Sequence, residues 1–249
     1  MLRIVHVWRR ELGASFGSPV ALVSILTFVA LQTALLYWIG YPVGPVPLPA
    51  LWEGGQATLS VTFTWQPLLL AFLVPALSMG AWAEERRAGT QELLFTYPLR
   101  TFEVVVGKWL STWTLVIAML VLGTLPLAWT VGGLGDLDWG AVAAGLIGAC
   151  GLAAAYCALA LCCSALSSEQ LVAFLVGALV LGVLWALRLL VPVLPPELAE
   201  PLNTLCPASH VLDSAARGVL DLRDGVYFAS LVLVGLVLNT VLVERRRWA

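Results

Sequence analysis

Glu84-Glu85-Arg86-Arg87-Ala88-Gly89-Thr90-Gln91-Glu92-Leu93-Leu94, continuing through Tyr97-Pro98-Leu99-Arg100 to Gly107-Lys108, is a dense polar stretch set between two long apolar ones. It holds four of the chain's 13 basic residues and four of its 15 acidic ones. No charge occurs between Glu53 and Glu84, and none between Lys108 and Asp136. A charged island between apolar runs of that length reads as a loop at one face of a membrane, with the apolar runs as the helices that cross it. Such a loop is also a docking surface for something soluble.

Composition agrees. Of the 249 residues, 60% are hydrophobic and 11% charged, and the mean hydropathy is +0.93, where soluble domains carry about 25% charge. The chain therefore reads as one all-α integral membrane domain over residues 1–249, with no room for a large soluble unit. The net charge of −2 says nothing about nucleic acid, but no basic patch exists beyond loop and tail arginines, so no nucleic-acid partner is expected. The N-terminus opens on Arg3, Arg9 and Arg10 rather than on a short apolar core, so no cleavable signal is expected. Four of the five cysteines (Cys150, Cys157, Cys162, Cys163) fall in one apolar helix, with Cys206 in a loop. With only three methionines in the chain, these thiols read as small apolar filler rather than a soft-metal relay, and no metal site is expected.

Crossing the hydrocarbon core takes about 20 apolar residues. Six runs qualify, at 19–39, 67–83, 109–131, 139–166, 171–191 and 226–243. The second is short and contains Pro75, which suggests a kink or an earlier start near Phe63. If both termini are cytoplasmic, ten basic residues lie inside (Arg3, Arg9, Arg10, Arg86, Arg87, Arg100, Lys108, Arg245, Arg246, Arg247) and three outside (Arg188, Arg217, Arg223). Ten against three orients the chain with both ends inside. Trp38, Trp65, Trp129 and Trp139 then fall at the outer interface, and Trp82, Trp109 and Trp248 at the inner one.

Residues 1–17 are expected to form an interfacial amphipathic helix, with Leu2, Val5, Trp8, Leu12 and Phe16 on one face and Arg3, His6 and Arg10 opposite. Across 84–96 the second span's period continues: Met79, Trp82, Ala83, Arg86, Thr90, Leu93, Leu94 and Tyr97 trace one stripe. Pro98 disfavours helix at Tyr97, and Thr101 is expected to cap a new helix with Glu103 in its first turn. The reading is a helical elbow over 84–108, protruding from the membrane. The fourth span is rich in small residues, which allow close backbone approach. An outer segment over 192–225 carries five prolines and a helix-like stretch from Ser209 to Leu222.

Catalytic constellations are missing. There is no phosphate-binding Gly-x-x-x-x-Gly-Lys-Ser/Thr loop, no Gly-x-Ser-x-Gly elbow and no His-Glu-x-x-His pair. His210 has Asp213 one turn on, a pair more readily read as a loop hydrogen bond than as acid–base machinery. Apart from Arg188 the six runs carry no ionisable residue, which argues against ion-driven transport. Any energy for moving a solute would come from another polypeptide.

Pro75-Ala76-Leu77-Ser78-Met79, then 83–94, then Pro98 and Gly107-Lys108, resembles the ABC type-2 export permeases, and within them the gliding-motility-associated permease subunit. Glu11-Leu12-Gly13-Ala14-Ser15-Phe16-Gly17-Ser18-Pro19 is similar to that subfamily's entry into the first span. Leu166-Ser167-Ser168-Glu169-Gln170 resembles its turn between spans four and five, and His210, 217–224, Tyr227-Phe228 and Arg246-Arg247-Trp248 its last hairpin. The resemblance implies a six-helix permease in a bacterial inner membrane with a cytoplasmic coupling helix between spans two and three. It implies a cytoplasmic ABC ATPase dimer as partner, a second permease half (a copy or a paralogue), membrane lipid around it, and room for an accessory envelope protein. ATP and Mg would be bound by the ATPase and no cofactor by this chain. Coupling would fall to Glu84, Glu85, Arg86, Arg87, Gly89, Thr90, Glu92, Leu93, Leu94, Pro98 and Lys108, with Trp8, Arg9, Arg10 and Glu11 from the interfacial helix.

Three other readings compete. A copper-site maturation permease is disfavoured by the few Met and His. A non-transporting scaffold or mechanotransmission subunit would lack or redirect the ATPase, and an intramembrane hydrolase lacks a catalytic set.

Overall fold

The computed structural model describes residues 2–42, 47–87, 89 and 100–247. Six helices are long and apolar enough to cross a membrane: Pro19–Ile39, Ser60–Arg87, Thr101–Leu134, Trp139–Leu166, Gln170–Val193 and Leu222–Arg245. A separate helix, Leu2–Phe16, precedes them. The described residues include no named β-strand. All six expected spans exist, but the second and third are much longer than the apolar runs suggest, because the helices continue past the uncharged stretch. The second starts at Ser60, seven residues earlier than Pro67, and accommodates both Pro67 and Pro75.

Local chemistry fixes the helix ends. Ser18 Oγ accepts the Val20 amide at 3.2 Å, with Pro19 at the first helical position. Asp138 Oδ1 accepts the amides of Gly140 (2.8 Å) and Ala141 (3.2 Å) and starts the fourth span. At the third span the cap is Arg100 rather than Thr101: Glu103 Oε2 accepts the Arg100 amide at 3.1 Å, and Thr101 is already buried in the first turn. The expected cap thus shifts by one residue, because Glu103 reaches back three positions to the backbone, as in half of a capping box.

The fourth span is the axis of the bundle and the most buried of the six, at 61%. Its small residues face other spans of this same chain: a methyl at Gly145 would meet the Phe63 ring at 2.6 Å. The main core joins Phe28, Leu70, Val74, Met119, Leu120, Leu152, Tyr156 and Leu181 from the first five spans. Cys157 and Cys163 are buried within the fourth span, and Cys162 donates to the Gly235 carbonyl at 3.1 Å, so these thiols serve packing.

Both termini lie at one end of the bundle. Val243, near the last described residues, packs with Trp82, Val104, Val105, Leu161 and Ala165. Trp82 is fully buried there, not at an interfacial belt as expected, whereas Trp38, Trp129 and Trp139 at the opposite end are exposed. Trp248 lies outside the described residues.

The outer segment differs from expectation. Its helices are Pro196–Leu205 and Pro207–Asp213, followed by a 3₁₀ turn at Ala215–Arg217, so the expected helix from Ser209 to Leu222 stops at Asp213. Gly218, at φ +84°, reverses the chain. His210 does not pair with Asp213. Its Nδ1 contacts Asp224 Oδ1 at 2.7 Å and its Nε2 the Thr204 carbonyl at 3.0 Å, while Asp213 takes Arg188 (3.1 Å) and Asn203 (3.2 Å). On a helix His210 and Asp213 are near neighbours, but the return of the chain at Leu222 delivers a better-placed carboxylate.

Candidate functional site

The second span breaks at Met79, between helices Ser60–Ser78 and Gly80–Arg87. A break inside an apolar bundle frees backbone groups that must find partners. Ser164 of the fourth span supplies both: its Oγ donates to the Met79 carbonyl (2.9 Å) and accepts the Trp82 amide (3.2 Å). Arg86 extends the same clamp, donating to the carbonyls of Ala165 and, at 3.3 Å, Ser167. The segment that leads into the elbow is thus held at a fixed angle against the fourth span. Ser164→Ala should lower stability by about 1–2 kcal/mol, since it removes two buried hydrogen bonds. Thermal unfolding of the solubilised protein measures this, and Ser164→Thr, which keeps the hydroxyl, should recover most of the loss.

The N-terminal helix seats on the third span. A β-carbon at Gly107 would lie 2.6 Å from Val7 Cγ1 and 2.8 Å from Val7 Cβ, so only glycine lets the two helices approach this closely. Trp8 Nε1 donates to Thr114 Oγ1 at 3.2 Å. The half-buried seam is Ile4, Val7, Trp8, Glu11, Leu12 and Ser15, whereas Val5 is 41% and Phe16 53% exposed. The expected apolar face is therefore rotated. The polar Glu11 belongs to the inner seam because a buried cation waits there.

That cation is Lys108, 2% exposed and inside the third span's helix, not on the loop surface. It is an ionisable residue within a span beyond the expected Arg188. Its Nζ reaches Glu85 Oε1 (2.7 Å), the Ala81 carbonyl (2.8 Å) and Glu11 Oε2 (3.3 Å), which occupies all three ammonium hydrogens. It also lies 5.0 Å from the centroid of the Trp82 ring, within cation–π range. Arg10 joins from outside, 2.9 Å from Glu11 and 3.6 Å from Glu85. One ammonium thus ties together the N-terminal helix, the end of span two and the start of span three. Beside it opens a cavity of about 400 Å³, lined among others by Arg10, Ser15, Glu84, Lys108, Ser111 and Gln170.

The site residues expected from sequence divide into three groups. Glu11, Glu85 and Lys108 are brought together as an internal brace, while Trp8 bonds Thr114 on the third span and Arg86 bonds the end of the fourth. Arg9, Arg10, Glu84, Arg87 and Gly89 are exposed around it. Gly89 takes φ +69° and its amide caps the Arg86 carbonyl at 3.0 Å, ending the helix. Thr90, Glu92, Leu93, Leu94 and Pro98 lie outside the described residues. Sequence reasoning missed Val7, Gly107 as a helix seat, and Ser164. One signal was available: Lys108 is the sole lysine, and it follows Val104-Val105-Val106-Gly107 in an uninterrupted apolar helix pattern.

Among the described residues the brace consists of ion pairs and hydrogen bonds that join three helices. The family model described as ABC-2 family transporter protein matches residues 50–239, about three quarters of the chain. The match covers spans two to five and most of the sixth, including the elbow and the Ser164 clamp, and starts after the N-terminal helix and the first span. No curated protein matches the chain significantly. On the family match and the six apolar helices, the chain belongs to the ABC-2 transporter family, as a multi-pass membrane permease.

Proposed function

We propose that this permease is driven by a separate cytoplasmic ABC ATPase dimer, which binds the ATP and Mg, and that the brace around Lys108 passes the ATPase's motion into spans one, two and three. The observation that carries the reading is the three-way contact of Lys108 with Glu11 and Glu85. It ties the N-terminal helix to the two described ends of the elbow, at Glu85 and Lys108, so a push on either reaches the first three spans together. In this reading both termini and residues 84–108 are cytoplasmic, supported by the ten-to-three bias of basic residues. The exposed Glu84, Arg87 and Gly89, with Thr90 to Leu94 beyond them, contact the ATPase. Glu85, Arg86 and Lys108 act through them as positioning residues.

The fifth span is only 17% buried and the first 28%, the two lowest values of the six. Leu171, Leu175, Leu179 and Val183 form an exposed seam along the fifth. These two spans offer their faces to the second permease half, a copy or a paralogue. The resemblance to the gliding-motility-associated subunit supports export or envelope work in a bacterial inner membrane.

The test is co-purification of the tagged chain with its ATPase and measurement of turnover in the complex. Glu84→Lys and the paired Leu93→Ala/Leu94→Ala change should each weaken association, by about 2–5 kcal/mol for a desolvated charged contact and about 1.5–3 kcal/mol per buried leucine. Wild-type association and turnover in both variants would sink the elbow as the contact. Orientation has its own check. Cysteines introduced at Arg87 and Val219, both exposed at opposite ends, should differ in intact cells: a membrane-impermeant maleimide should label 219 and spare 87. The reverse pattern would invert the topology.

A further inference from the structure

At the end of the bundle opposite the brace, the first three spans bury a set of polar side chains that the coupling does not use. Gln32 of the first span and Thr62 and Gln66 of the second are each at most 1% exposed. Gln66 Nε2 donates to Thr124 Oγ1 of the third span at 3.2 Å. Gln66 Oε1, Thr62 Oγ1 and both polar atoms of the Gln32 carboxamide have no hydrogen-bond partner among the described residues. The helices bring the two carboxamides to one level. Gln32 lies seven residues before Ile39 and Gln66 six after Ser60, so both are about 9–10 Å from the same end of the bundle at 1.5 Å per residue. They also meet consecutive residues of the third span. Gln66 bonds Thr124, and a β-carbon at Gly123 would lie 2.7 Å from Gln32 Oε1.

We infer that this junction binds an internal water molecule, which accepts from Gln32 Nε2 and donates to Gln66 Oε1. A carboxamide carries two donor hydrogens and an acceptor oxygen, and inside a lipid-embedded bundle neither lipid nor bulk water reaches these buried groups to satisfy them. A buried water typically makes about three hydrogen bonds to polar groups in that position. The surroundings select so small an occupant. All of the groups are neutral, so nothing in the set selects an ion. Packing closes one side: the β-carbon at Gly123 that would meet Gln32 Oε1 would also lie 2.6 Å from Phe28 Cε1. A water needs only about 30 Å³. Thr62, four residues from Gln66 and on the same helix face, extends the polar lining toward the helix end. The water ties the first span to the second, as the brace ties the opposite ends of these helices.

This inference does not depend on the ATPase. The test is X-ray hydroxyl-radical footprinting of the purified full chain, in which radicals formed from a bound water mark the side chains beside it, read by mass spectrometry. Phe28 is the reporter: it is fully buried, and its ring and Gln32 Oε1 crowd the same point at Gly123. Phe28 should be hydroxylated in the wild type, and the rate should fall severalfold in the double variant Gln32→Leu/Gln66→Leu. Gln32→Met alone, which keeps the side chain's length, should lower it as well and serves if the double change fails to fold. An unlabelled Phe28 in the wild type would overturn the water, and is the result expected if the two carboxamides bond each other directly. Labelling at the wild-type rate in a folded variant would show that these groups hold no water and would equally overturn it.

Discussion

Replacing Lys108 by Met should destabilise the protein by about 2–5 kcal/mol, because it takes the buried cation away from two carboxylates and leaves only the exposed Arg10 shared between them. Glu11 and Glu85 are each less than one-fifth exposed, and both contact the same ammonium within 3.3 Å. Removing that charge converts attraction into repulsion between two carboxylates that are each less than one-fifth exposed. Arg10 softens the loss only in part, since it is 65% exposed and reaches Glu85 at 3.6 Å. The measurement is thermal unfolding of the solubilised protein. The triple change Lys108→Met, Glu11→Gln and Glu85→Gln should recover most of the stability, since a neutral set carries no uncompensated charge. A Lys108→Met variant as stable as wild type would show that the ion contacts are incidental. Glu85→Lys should mimic Lys108→Met rather than act on a partner protein, which separates it from Glu84→Lys.

Gly107→Leu should lift the N-terminal helix from the third span. Even a single β-carbon would sit 2.6 Å from Val7, and a full side chain has no rotamer that avoids it. Overpacking of this kind costs about 1–3 kcal/mol, and leucine at this contact belongs at the upper end of that range. The bundle's own core does not include Gly107, so the six spans should still assemble. The specific readout is protection of the N-terminal helix: protease cleavage within residues 2–16 should accelerate while cleavage elsewhere is unchanged. Gly107→Ala paired with Val7→Gly should restore protection, because Val7→Gly removes the isopropyl group that the new β-carbon at 107 would meet. Unchanged protection in Gly107→Leu would mean that the helix does not depend on this seat.

Why were the spans legible and the brace only half so? Six apolar runs are unambiguous because an uncharged stretch of 20 residues has few other homes, and the family motif around 75–108 carries the permease reading. The run boundaries misled, however. Charge marks the end of an apolar run but not of a helix: Lys108 is the eighth residue of the third span's helix Thr101–Leu134, and Glu84 to Arg87 continue the second. Backbone hydrogen bonding does not stop where hydropathy does, and a charge may enter a bundle wherever partners await it. Those partners, Glu11 and Glu85, are 97 and 23 residues away, a separation that no local period reveals. The N-terminal helix shows the same limit. Its wheel separates Val5 and Phe16 from Arg3 and Arg10 correctly as chemistry, but Glu11 turns inward to meet Lys108 and rotates the buried face with it. His210 was paired with Asp213 by proximity in sequence, whereas the return of the chain after Gly218 brings Asp224 instead.

Site-specific photocrosslinking tests the central claim most directly. A photoreactive residue at 87, at 93 or at 219 would be placed in the full chain in the cells that make it, followed by irradiation and identification of adducts. The account predicts an adduct between positions 87 and 93 and a protein bearing a phosphate-binding ATPase loop, and none at 219. An ATPase adduct at 219, or an ATPase that co-purifies with the chain while neither 87 nor 93 crosslinks to it, would contradict it.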